Sequence, residues 1–421
     1  MFSTLSNAWK IPDLKKRILY TFAMIAIFRL GSAVPVPGIN NAALAKAFSN
    51  SEDGLLGLFN LMSGGNFKTF TIFALGISPY ITASIVLNLL QIAFPSLEAL
   101  AREGEEGRKK IIRYTRYLTV ILALIQGIGF SLGYFQRFFV TPGAWSTFLA
   151  VLTLTAGTAF LMYLGEKITE NGIGNGISLF IFAGIIARVP SATLSTITNL
   201  RLGQTNIVAV IIFCIIAVII IMGVIFIQQG QRKIPVQYAK RMVGRKMYGG
   251  QGTHIPLKVN QAGVIPVIFA ISILMFPMTI AQFFPTSSFA IFTGKWLSST
   301  SVLYNLIYAL LIVFFTYFYT NITFNPIEVA DRLKQNGGFI PGIRPGRPTA
   351  DFLSKSLNRI TIVGAIFLAA IAVLPNFIGA FSTMNFAFGG TSLLIVVSVS
   401  LETTKQIEAQ MMMRHYEGFL S

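Results

Sequence analysis

The sequence holds one cysteine and two histidines among 421 residues, and each scarcity closes a class of function. A lone Cys214 cannot form an intrachain disulfide, and inside an apolar run it reads as a small packed residue. His254 and His415 lie far apart in different loops, so a histidine-based metal site is not expected. Charge is scarce as well: only 11% of residues are Asp, Glu, Lys or Arg, against roughly 25% in a soluble domain. The acids lie in or beside loops, which argues against a proton-coupled pump built on a buried carboxylate relay. Neither a serine–histidine pair nor a metal-ligand cluster stands out, so the reading is of a protein that is not an enzyme and uses no cofactor. A small-residue cleavage pattern is also missing after the first apolar stretch, so the first helix is expected to stay.

What is abundant is apolar surface. Hydrophobic residues make up 54% of the chain, more than a soluble core of this size could hide. Several runs reach about 20 residues, the length that crosses roughly 30 Å of hydrocarbon. We expect ten spans, at about 18–34, 72–93, 115–135, 147–165, 177–188, 207–228, 262–284, 302–323, 360–378 and 388–403. The fifth is short. Arg29 lies within the first span near its outer end, where it can snorkel to headgroups or pair inside the bundle.

The net charge is +18, from 33 Lys and Arg against 15 Asp and Glu. With the N-terminus inside, 26 of the 33 basic residues fall on the cytoplasmic side and six in exterior loops. That asymmetry sets the orientation and places both termini in the cytoplasm. Three cytoplasmic connections are long. Segment 94–114 is a solvated mixed-charge face. Segment 229–261 carries Arg232, Lys233, Lys240, Arg241, Arg245, Lys246 and Lys258 with no acid. Segment 324–359 carries Asn325-Pro326-Ile327-Glu328 and a Gly- and Pro-rich run around Arg344 and Arg347, which predicts a stiff hairpin of turns with little helix. Seven unopposed cations call for an anionic partner, lipid headgroups or RNA phosphate.

The exterior connection at 189–206 splits the spans into two sets of five. An odd number in each set makes their topologies opposite, an arrangement common among proteins that move cargo across membranes. Between the first and second spans lies Gly54 to Gly65, whose apolar residues share one side of a helical wheel. About ten residues make roughly 15 Å of helix, half a bilayer. Periodicity leaves two readings: an interfacial helix on the outer surface, or a short helix folded back to stop a pore. In the next stretch Pro79 predicts a kink in the 72–93 span. Ile77, Ile81 and Ile85 share one face at intervals of four, by default a stripe towards lipid. Glu166 to Gly176 superficially suggests a phosphate loop, but no strand precedes it and the spacing is wrong. A tight turn between two membrane helices accounts for it. Gly129 and Gly133 suit a close helix–helix contact.

Five stretches together resemble the SecY family of protein-conducting channels, along essentially the whole chain. They are Gly76-Ile77-Ser78-Pro79-Tyr80-Ile81-Thr82-Ala83-Ser84, Gly172-Ile173-Gly174-Asn175-Gly176-Ile177-Ser178, Leu257-Lys258-Val259-Asn260-Gln261-Ala262-Gly263-Val264-Ile265-Pro266, Pro341-Gly342-Ile343-Arg344-Pro345-Gly346 and Gly389-Gly390-Thr391-Ser392-Leu393-Leu394-Ile395. Ser78 departs from the methionine of many relatives, without expected consequence.

The resemblance implies an all-α polytopic membrane protein with ten transmembrane helices, in two inverted five-helix halves around a central hourglass pore. The halves would be 1–190 and 207–421, joined by an exterior hinge loop at 191–206. It implies a pore ring of Ile77, Ile81, Ile181, Ile185, Ile268 and Ile395, and a plug at about 55–67 that includes Leu55, Leu58, Phe59, Leu61 and Met62. A lateral gate would lie between the second and third spans and the seventh and eighth, with Asn88 and Gln126 in a polar cluster. Flexible aliphatic side chains suit a dry constriction that closes around chains of varied sequence. Loops 229–261 and 324–359 would dock the ribosome, through RNA contact, and the SecA motor. Arg232, Lys233, Lys240, Arg241, Arg245, Lys246, Arg344 and Arg347 carry that surface. SecE, SecG, unfolded secretory polypeptides and anionic lipid are the other implied partners. The rival class is a secondary transporter for a small solute, which would need polar ligands at the midplane. An intramembrane enzyme, a third class, lacks a nucleophile–base pair.

Overall fold

The computed structural model describes residues 8–41, 43–44, 60, 63–203, 206–238, 241–243, 246–248, 253–283, 287–297, 301–381 and 390–417. Each of the ten expected spans coincides with a helix. The first, α1 (Pro12–Gly31), opens on a proline whose missing N–H is no loss in a first turn. Asp13 near its start and Arg29 in its last turn complement the helix dipole. Arg29 is exposed on the helix rather than enclosed by the bundle.

The second span departs from expectation. Residues 71–77 run mostly as turns and α2 (Ser78–Ala93) begins with Pro79 in its first turn. Pro79 therefore starts a helix instead of kinking one, because proline fits where no backbone N–H is needed. At Phe94 the chain turns by 107° into a short helix, α3 (Pro95–Arg102). Then come α4 (Glu105–Gly133) and α5 (Ala144–Asn171).

The fifth span also exceeds its expected length. Helix α6 (Gly176–Arg201) passes through Pro190, so most of the expected hinge loop at 191–206 is helical. In its polar end Thr193, Thr196 and Thr198 satisfy their hydroxyls by donating to carbonyls one turn back, so these side chains do not compete with the helix for outside partners. The connection to α7 (Ile207–Gln229) is correspondingly brief.

After α7 the expected cytoplasmic loop is a small sheet. Strand β1 (Gln231–Tyr238) pairs antiparallel with β4 (Thr253–Lys258), setting Ile234 opposite Ile255, while β2 (Arg241–Val243) and β3 (Lys246–Tyr248) form a separate hairpin. Ile234 and Val236 are buried while Lys233, Pro235 and Gln237 between and beside them are exposed, the period of two that a half-buried strand requires.

The C-terminal part contains α8 (Ile265–Phe283), α9 (Ser288–Trp296), α10 (Val302–Thr323), α11 (Pro326–Gln335), α12 (Arg347–Phe381) and α13 (Gly390–Glu417). Segment 324–359 is thus largely helical, correcting the expected hairpin of turns. Asn325 caps α11 by accepting from Ile327 and Glu328 N–H, and Pro326 occupies the first turn. Only the Gly- and Pro-dense residues 336–346 are irregular, apart from a short strand β5 (Gly338–Phe339) that pairs with Gln237 and Tyr238 of β1. The sheet order is β4-β1-β5, so the two long connections, 229–261 and 324–359, share one sheet. Beneath it Ile234, Val236, Leu257, Leu333, Ile340, Leu353 and Leu357 make a separate apolar core.

Among the described residues six helices are long and apolar enough to cross a membrane alone, or seven if the bent α2–α3 pair is one span. The remaining expected spans coincide with α1, α8 and α13. Helices of the first set pack mainly among themselves, as do those of the second. Between the sets, α8 lies against α2 and α4 on one side, and α13 lies against α6 on the other.

Candidate functional site

The six expected ring positions come from four elements. Ile77 caps α2 and Ile81 lies one turn on; Ile181 and Ile185 share a face of α6; Ile268 is in the first turn of α8; Ile395 is in α13. All six are buried, at 3–7% exposure, and belong to one apolar cluster. Ile85 is buried in the same cluster, so the stripe on α2 faces the interior and the default lipid-facing reading is corrected.

Of the expected plug residues, Leu55, Leu58, Phe59, Leu61 and Met62 lie outside the described residues. Asn60 and the described residues from Ser63 to Phe67 turn into the protein instead of lying on its surface. Asn60, Ser63, Asn66 and Phe67 are all buried. Asn60 organises the turn: its carbonyl accepts from Gly65 N–H at 2.8 Å, and its side-chain oxygen accepts from Lys68 N–H at 3.0 Å. Ser63 Oγ accepts from Phe67 N–H at 3.0 Å. Gly64, at φ 70°, adopts the left-handed backbone and touches α6 at Gly184, between Ile181 and Ile185. A Cβ built on Gly64 would lie 2.6 Å from the Gly184 Cα. Only glycine on both sides permits that approach.

An aromatic floor supports this segment. Phe67 meets Phe130 and Phe135 edge to face with centroids at 5.0 and 5.2 Å, geometry favoured by the ring quadrupoles. Arg137 stacks over Tyr134 and Phe138. Backbone bonds from Val36 N–H to Phe70 O and from Ile72 N–H to Val34 O tie the segment to the chain after α1.

The seam between α8 and the α2–α4 pair is held by apolar packing. Thr115 and Thr119 of α4, and Ser272 and Thr279 of α8, each donate to a carbonyl of their own helix. Gln126 is buried, and its Oε1 has no hydrogen-bond partner. Asn88 is half-buried, ten residues into α2. Among the described residues no hydrogen bond joins Asn88 to Gln126, so the polar cluster expected of this pair does not form between them.

Of the expected docking residues, Arg232 and Lys233 are exposed on β1, Arg344 is exposed in the turn before α12, and Arg347 is exposed at the first position of α12. Arg241 and Lys246 occupy β2 and β3, while Lys240 and Arg245 fall outside the described residues. The Arg344 turn is firmly anchored. Its carbonyl accepts from Thr349 Oγ1 at 2.8 Å, Ile343 N–H bonds Ile340 O at 3.0 Å, and both Thr349 and Ile340 are buried.

Sequence reasoning missed a bidentate ion pair. Arg116 Nε and a terminal guanidinium nitrogen reach the two oxygens of Glu166 at 2.9 and 2.7 Å, joining α4 to α5. Fifty residues separate the partners, and neither carries a local pattern that announces the other. Among the described residues, no group of three His, Cys, Asp or Glu side chains could hold a metal ion.

The chain is similar to known proteins throughout its length. The SecY family model matches residues 71–404. The protein translocase subunit SecY of Streptomyces scabiei is 48% identical over 439 residues, covering all of both chains. Among solved structures, a SecY whose plug domain is described as stabilising the closed state superposes with a TM-score of 0.67 at 20% identity, covering 94% of this chain and 92% of that one. Sec61 from the canine ribosome–channel complex gives 0.63 at 19%, with 94% and 92% covered. Similarity near one half that runs from end to end of both chains reaches well past a common architecture: this chain belongs to the SecY family.

Proposed function

We propose that the chain is the protein-conducting channel of a bacterial plasma membrane, with both termini cytoplasmic. It passes unfolded secretory polypeptides outward and releases apolar segments sideways into lipid. The observation that carries this reading is the burial of six isoleucines from four elements in one cluster. A ring of branched aliphatic side chains closes around any backbone and offers ions no ligands. The segment around Leu55–Phe67 is the plug, and the buried contact of Gly64 with α6 supports a position beneath the ring.

Residues 1–190 and 207–421 are the two halves, hinged at the exterior connection inside 191–206. The lateral gate is the seam of α2 and α4 with α8, continued by α10. Gln126, buried there with an unpaired acceptor, is a polar position that a passing segment can satisfy; Asn88 lies further towards the cytoplasm. A dry, hydrogen-bond-poor seam parts without leaving many buried polar groups orphaned.

The channel performs no chemistry, so direction comes from outside. The joined platform of β1, β4, β5 and the Arg344 turn docks the SecA motor and the translating ribosome, whose RNA phosphates suit its cations. The same platform faces anionic headgroups. SecE braces the two halves and SecG accompanies them. A small-solute transporter is disfavoured because its substrate would need polar ligands where this chain packs isoleucine.

The test is to stall a secretory chain bearing a photocrosslinker and map its adducts. Adducts at Ile81, Ile268 and Ile395 are expected; a stalled chain that marks none of the three would overturn the assignment.

A further inference from the structure

The turn at Gly172–Asn175 reads from sequence as a mere reversal between two membrane helices. In the structure it is gripped from both sides. Thr21 of α1 accepts the Ile173 N–H at 3.0 Å, and Gln406 of α13 accepts the Gly174 N–H at 2.9 Å through its side-chain oxygen. Gly174 has φ 87°, and a Cβ there would lie 3.2 Å from Thr403 Oγ1. Around these bonds Ala8, Leu14, Ile18, Ile173 and Ile407 form a buried apolar cluster of their own, with Ile11 and Met411 packed against it.

The components come from opposite sets of helices. α1 and the 172–175 turn belong to the first five spans, and α13 belongs to the last five. They meet at the cytoplasmic end of the seam where α6 runs against α13. The exterior end of that seam is already closed covalently by the short link from α6 to α7. The opposite seam, between α8 and the α2–α4 pair, shows no such tie among the described residues: Thr115, Thr119, Ser272 and Thr279 bond within their own helices.

We propose that the Ile173–Gly174 turn, the start of α1 and the Gln406–Met411 stretch of α13 form a clasp that pins the cytoplasmic end of the back seam. Gln406 acts as a positioning residue, holding the two sets in register by accepting a backbone N–H that only a left-handed Gly174 presents. With both ends of the back seam fixed, the sets rotate about it and separate on the far side. The inference rests on the two-half reading only for what separation accomplishes.

The experiment is a distance measurement on the full chain in phosphatidylethanolamine–phosphatidylglycerol vesicles. Spin labels are placed at Asn171→Cys and Glu408→Cys, both exposed, with Cys214→Ser removing the native thiol. With Gln406, and with Gln406→Glu, which keeps an acceptor oxygen, a single narrow distribution is expected. Gln406→Leu, which keeps the bulk and loses the acceptor, should add a component at longer distance. Ile407→Ser, a second lesion in the same clasp, should do the same. Distributions for both lesions that superimpose on the parent would overturn the clasp. The readout needs no transport, so its failure and failure of the channel reading are separate results.

Discussion

Gly64 and Gly184 meet backbone to backbone, so closely that a methyl group on Gly64 would lie 2.6 Å from the Gly184 Cα. One residue follows the expected plug core and the other lies between Ile181 and Ile185 on α6. The contact has no side chain that could move aside, so any substitution must displace one backbone from the other.

Replacing Gly184 with alanine or valine should therefore unseat the 60–67 segment without emptying the core. Overpacking of this kind costs about 1–3 kcal/mol, which shifts a closed-to-open balance by roughly 5–150-fold. The expected outcome is raised resting ion conductance in planar bilayers, larger for valine than for alanine. Conductance equal to the parent in both variants would show that the contact does not hold the channel shut.

The Arg116–Glu166 pair makes a prediction about stability. The Glu166 side chain is 14% exposed and the Arg116 side chain 47%, so solvent screens one end of the pair only. Arg116→Ala leaves a largely enclosed carboxylate unpaired and should destabilise by about 1–2 kcal/mol. Glu166→Gln should cost less, and the double variant should cost less than the sum of the singles, since each single removes the same interaction. Thermal unfolding of the four proteins in one detergent gives the cycle; strict additivity would mean the pair contributes nothing.

Arg344 is held on a turn tied to buried Ile340 and Thr349 but is itself exposed. Arg344→Glu should leave the melting temperature within a degree or two, because surface substitutions rarely exceed about 0.5 kcal/mol. Motor-driven export in reconstituted vesicles should fall at least about tenfold, the equivalent of 1.4 kcal/mol in docking. Unaltered export would remove this residue from the docking surface.

The membrane helices were legible because the length and hydropathy of a span are set by the bilayer, and little else in a sequence imitates them. The structure departs from expectation mostly near prolines. Pro79 opens α2, Pro190 rides inside α6, and Pro326 opens α11. Local rules say only that proline lacks a donor, whereas position within the turn decides whether that matters. The sheet escaped notice because Ile234 and Val236 alternate among cations over a short run. The pairing of Gln237 with Phe339 joins residues about a hundred positions apart. Gly174 and Gln406, separated by 232 positions, show the same limit: a hydrogen bond between distant loops leaves no periodic trace. Family resemblance puts Ile77 and Ile81 inside, where they are buried, whereas periodicity alone turns Ile77, Ile81 and Ile85 towards lipid.

Helix α12 runs 35 residues without interruption, about 50 Å end to end. Its first turns supply Leu353 and Leu357 to the core under the cytoplasmic sheet, and further along Leu368 and Ile371 belong to the membrane core. It packs along α10, which in turn lies against α8. From Arg347 to Leu374, ahead of Pro375, the helix continues unbroken from the core under the sheet into the membrane core. A load on the Arg344 turn therefore reaches the apolar core of the helix bundle along a single stiff rod.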